Sequence, residues 1–74
     1  MDVRVDKTGE VKVEVYNLAG ERVRKIRDEV KSPGNYRFEW NGQNDSGGMV
    51  GNAVYLVVIQ TPSGKTVRKV IVLK

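Results

Sequence analysis

The stretch Trp40–Gln60, WNGQNDSGGMVGNAVYLVVIQ, sets an aromatic residue, a run of Gly, Asn, Asp and Ser, and a nearly unbroken apolar segment in a row. Its second half, VYLVVI at 54–59, is apolar on both faces, the pattern of a central strand. Its first half is either a site, such as a metal or phosphate loop, or a connection between two strands. Upstream, Tyr36, Phe38 and Trp40 alternate with Arg37 and Glu39, the period-two signature of a half-buried strand. Downstream, TPSGK at 61–65 reads as a tight hairpin loop, and TVRKVIVLK at 66–74 reads as the strand it leads into.

The same periodicity runs toward the N-terminus. In EVKVEVYN at 10–17, Val11, Val13 and Val15 alternate with Lys12 and Glu14. ERVRKIRDEV at 21–30 is less regular. Val23 and Ile26 are three apart and cannot share a face of a flat strand without a bulge; a short helix competes here, but Val23, Ile26 and Val30 next to SPG favour an edge strand. DVRV at 2–5 is a short strand. In NLAG at 17–20, Asn17 starts a turn and Gly20 takes a positive φ. SPGN at 32–35 places Pro33 and Gly34 at the central positions of a type II turn. About six or seven antiparallel strands in two packed sheets are therefore predicted, an all-β sandwich formed as a single module over 1–74. The expected core is Val13, Val15, Phe38, Trp40, Leu56 and Val58. Tyr55 joins it from the central strand, although its phase opposes Leu56 and Val58 and leaves it part-exposed.

Composition narrows the function. The chain has 74 residues, 13 Lys+Arg against 9 Asp+Glu, and no histidine or cysteine. The usual serine, cysteine and imidazole mechanisms are closed to it, and so are zinc sites. Glu39 and Asp45 are a conceivable carboxylate pair, but so short a chain leaves little room for a substrate cleft. No enzyme activity is expected. Gly42, Gly47, Gly48 and Gly51 do not follow a phosphate-loop spacing, and no Lys-Ser/Thr pair follows them. Asn41, Asn44 and Asp45 carry oxygens a calcium ion could use, yet Asp45 is the only carboxylate from Asn41 onward. Neither a metal nor a cofactor is expected. The basic run Arg22, Arg24, Lys25, Arg27 and Lys31 is interrupted by Glu21, Asp28 and Glu29, a solvated edge rather than a nucleic-acid surface. No apolar run is long enough to span a membrane, so no membrane insertion is expected.

The elements VKVEVYNLAGERVRKI, SPGNYRFEWNGQNDSGGMVGNAVYLVVI and RKVIVLK, in that order, resemble a bacterial C-terminal module. The chain is similar to the immunoglobulin-like domain of the flagellar hook-capping protein and to the related sorting domain of type IX secretion cargo. The matching residues are Tyr16, Asn17 and Gly20, then Pro33 and Gly34, then Trp40, Asn41 and Gly42. Asp45 with Gly48, Tyr55, and Lys69 to Lys74 complete the pattern. Ala53 stands where the family usually has Gly, and a PNPF-like segment before the first strand is missing. The resemblance implies a non-catalytic module, bacterial and secreted, at the C-terminus of a larger extracellular or cell-surface protein. It would serve secretion sorting or surface attachment. A structural part of a flagellar or other extracellular assembly is the alternative, and a carbohydrate-binding accessory domain is a third. The expected partner is a protein of the secretion or envelope machinery, or other domains of the parent. Arg68, Lys69 and Lys74, framing the last strand, are the candidate partner-binding residues.

Overall fold

Three valines on one face of one strand organise the molecule. Val11, Val13 and Val15 are fully buried, while Glu10, Lys12, Glu14 and Tyr16 between them remain accessible, so the alternation in sequence becomes an inside and an outside. Each buried valine contributes roughly 1.5–3 kcal/mol through the apolar surface it removes from water. The computed structural model describes residues 2–74, all of it strand and turn, with no helix among them. The strands are β1 (Asp2–Val5), β2 (Gly9–Tyr16), β3 (Arg22–Lys31), β4 (Gly34–Arg37), β5 (Ala53–Thr61) and β6 (Gly64–Val72).

They form two antiparallel sheets, one in the order β3-β2-β5-β6 and one of β1 with β4. The core lies between them. Val3, Val5 and Phe38 come from the smaller layer, and Val11, Val13, Val15, Tyr55, Val57 and Ile59 from the larger, with Val50 closing one end. This is the two-layer sandwich the strand pattern calls for.

Five expectations need correction. In β5 the buried set is Tyr55, Val57 and Ile59, whereas Leu56 and Val58 are only half-buried on the outer face. Pairing fixes this phase, because Val57 lies opposite the buried Val15 and Ile59 opposite the buried Val13. Tyr55, expected to be part-exposed, is 7% exposed. The strand expected through Trp40 stops at Arg37, since the ladder with β1 runs from Val5↔Gly34 to Asp2↔Arg37 and gives Phe38 no partner. Trp40 is half-buried against the core rather than within it. Gly34 takes no positive φ, so no type II turn forms at Pro33–Gly34; Gly34 opens β4 opposite Val5.

Two glycines are placed by geometry. Gly20 has φ 85° in the β2–β3 turn, where its amide donates to the Asn17 carbonyl at 3.1 Å. Gly9 sits under the β5–β6 loop, where an added methyl would overlap the Pro62 ring.

Candidate functional site

The polar run after Trp40 folds into a small closed loop and then clamps a strand. Asn44 turns it: its Oδ1 accepts from the amides of Ser46 at 3.0 Å and Gly48 at 2.9 Å, the local bonding that makes Asx residues good turn formers. Gln43 bridges Met49, and the Val50 amide donates to the Gly42 carbonyl at 2.9 Å. Trp40 holds one end, its indole N–H donating to the Gln43 carbonyl at 2.8 Å. Its ring meets Tyr55 edge-on at 5.3 Å, and the Tyr55 hydroxyl donates to the Gly51 carbonyl at 2.9 Å at the other end.

The tip of this loop lies on the outer edge of β3. The Asp45 amide donates to the Val23 carbonyl at 2.9 Å, and Asp45 Oδ1 accepts from the Lys25 amide at 2.8 Å. One residue thus meets two free backbone groups as a paired strand would. Arg24 donates to the Asn44 carbonyl at 2.8 Å, and Arg22 lies 3.4 Å from Asp45 Oδ2. Register shifts between Val13/Glu14 and Val15/Tyr16 mark two bulges in β3, which leave out Ile26 and Val23 and pack both against the core. That reconciles their three-residue spacing with one buried face. Sequence reasoning missed the role of Asp45; the bulge-requiring spacing was the one signal that this edge is irregular.

Charge divides the molecule sharply. Nine basic and nine acidic residues cancel within residues 1–45, and from Ser46 onward there is no acid at all. Lys65, Arg68, Lys69 and Lys74 therefore carry the whole net charge of +4. The ion pairs follow the same division. Arg22, Lys25, Arg27 and Lys31 of the basic run all pair with carboxylates, as do Arg4, Lys12 and Arg37. The hydrogen bond that the Lys12 ammonium donates to Glu10 Oε1, 3.1 Å away, holds it above its ordinary pKa, and the charges of Glu10 and Asp28 add to it. That small contribution is present at neutral pH and fades only in strongly alkaline solution. By contrast, Lys65, Arg68, Lys69 and Lys74 form no ion pair among the described residues.

Three of these four cations lie on β6, the free edge opposite β3. Lys69 pairs with Leu56 and so lies on the outer face, with Lys65, Val67 and Ile71. Arg68 pairs with the buried Val57 and lies on the inner face, yet it is exposed, whereas Val70 and Val72 on the same face pack against the core. An open groove of about 380 Å³ separates Asp2 and Arg4 of β1 from Lys65, Thr66 and Arg68. Lys74 lies beyond the strand, its amide donating to Asn52 Oδ1 at 3.0 Å. The structure brings Arg68 and Lys69 onto one strand but opposite faces, and sets Lys74 apart.

Among the described residues no three His, Cys, Asp or Glu side chains cluster, and both Asp45 oxygens are engaged. Two antiparallel layers, one wider than the other, with a tyrosine hydroxyl pinned to upstream backbone, define an immunoglobulin-like module. The chain belongs to the FlgD Ig-like domain family, whose model matches residues 3–65. No curated protein and no solved structure matches it.

Proposed function

We propose that the chain is a non-catalytic structural module of a larger extracellular or cell-surface protein, joined to its surroundings by protein–protein contacts. The observation that carries this reading is the FlgD Ig-like match over residues 3–65 on a two-layer body 36 Å long and 19 Å across. A body so thin has no depth for an enclosed substrate pocket. The absence of His and Cys from the sequence supports the same conclusion. Phe38 and Tyr55 are buried and Trp40 is tied to the loop, which speaks against a sugar-stacking surface.

A second reading, secretion sorting or surface attachment, draws on one specific feature. The matched stretch ends at Lys65, and the segment beyond it holds Arg68, Lys69 and Lys74, unpaired and accessible to a docking machinery. One experiment separates the two. Residues 2–74 are deleted in frame from the parent gene, and export of the parent and assembly of the structure it serves are scored together. The assembly reading expects normal export with failed assembly; the sorting reading expects the parent to be retained inside the cell. Normal export with normal assembly would overturn both.

A further inference from the structure

The two edges of the larger sheet are built differently. β3 is bulged twice, is clamped by Asp45, and turns Arg27 and Glu29 toward the buried valines opposite them. Arg27 stacks over the Phe38 ring at 5.8 Å and pairs with Glu29 at 3.6 Å. Bulges, inward charges and a covering segment are the devices by which an edge is closed to further pairing. β6 carries one inward charge, Arg68, but no bulge and no covering segment. Its register with β5 runs unbroken from Thr61↔Gly64 to Ala53↔Val72, with no bulge and no proline, leaving a straight row of backbone donors and acceptors facing solvent.

We propose that this free edge of β6 accepts an extended strand of a partner protein in which carboxylates alternate with apolar side chains. Lys65, Val67, Lys69 and Ile71 share the outer face, so cation and apolar side chain alternate along it. Val67 is 52% and Ile71 59% exposed, and both continue the half-buried Val58 and Val54 of β5 across the sheet. An added strand would cover this row, pair backbone with backbone, and set its carboxylates opposite Lys65 and Lys69. On the inner face Arg68 overhangs the groove beside β1, where a further carboxylate of the same strand fits. A second copy of β6 is the wrong occupant. Antiparallel pairing of two such edges sets Arg68 and Lys69 against Arg68 and Lys69, like charge against like charge. The surface is the same whether the module sorts its parent or assembles it, so failure of this inference leaves the deletion experiment untouched.

The test is a titration of the chain, followed by backbone amide shifts, with a nine-residue peptide. Glutamate and valine alternate along one face of that peptide, with threonine on the other. Shifts are expected at the amides of Lys65–Val72. Lys65→Glu with Lys69→Glu should weaken binding by about tenfold, and a peptide carrying lysine for glutamate should restore it. A third peptide keeps every charge but is N-methylated at alternate amides, and it should not bind. Equal binding by the N-methylated peptide would reduce the contact to charge alone and overturn strand addition. So would shifts confined to β3, or no shift at millimolar peptide. Concentration-dependent shifts of the β6 amides without peptide would make the occupant a second copy and overturn the acidic partner.

Discussion

Asp45 meets Lys25 with one carboxylate oxygen and Arg22 with the other, while its own amide holds Val23. From sequence it is a lone carboxylate in a glycine-rich run, and the chemistry it suggests is a cation site. Its actual partners lie some 20 residues upstream, and no local signal connects them. Trp40 was misjudged for a related reason: period-two spacing with Phe38 implies a shared buried face, but the strand ends before either residue. Asp45→Ala should destabilise the domain by about 1 kcal/mol, discounted because the group is half exposed. Asp45→Asn, which retains Oδ1, should recover roughly half of that. Urea unfolding gives the cost, and hydrogen exchange gives its place. A Lys25 amide that exchanges no faster in the alanine variant would mean the clamp adds nothing to the edge.

At the scale of elements, β2, β6 and the tight β5–β6 hairpin were legible because alternation and turn residues mark them locally. The phase of β5 was not legible. VYLVVI is apolar at every position, so period two carries no information there, and only pairing with β2 selects Tyr55, Val57 and Ile59 over Leu56 and Val58. β3 offers the converse, an irregular spacing compatible with a strand only through a bulge, and the strand carries two. If the bulges are what carry Ile26 into the core, Ile26→Ala should cost about 1–2 kcal/mol, below the full-burial value because the side chain is half-buried. Val30→Ala on the same strand, where the valine is 70% exposed, should stay within about 0.5 kcal/mol. Denaturant midpoints of the two variants decide it, and equal losses would refute the packing of the bulge.

At the scale of the whole molecule the acids gather in the first 45 residues, and the four cations beyond them, on the last strand and after it, have no acid in their own part of the chain. A divalent cation has little to hold on such a body. At Asp45 it would have to displace Arg22 and the Lys25 amide, with no second carboxylate to compensate. Millimolar calcium, or EDTA, should therefore leave the melting temperature within about 1 °C of its starting value. A rise of several degrees with calcium would reassign Asn44 and Asp45 as ligands.

The strand order also governs when the domain can come into being. β2 stands second in the chain yet second from the edge of its sheet, and its inner neighbour is β5. The residues that must meet are separated by 40 positions for Tyr16 and Leu56 and by 48 for Lys12 and Gln60. A chain emerging N-terminus first can close the β2–β3 hairpin early, since that needs only the short turn at Asn17–Gly20. It then waits, with one side of β2 unmatched, until the segment from Ala53 has arrived. Loop-closure entropy of that size places the decisive step late and on the slow side for a domain this small. Ribosome or export channel alike would release most of this domain before its larger sheet could lock into its final form.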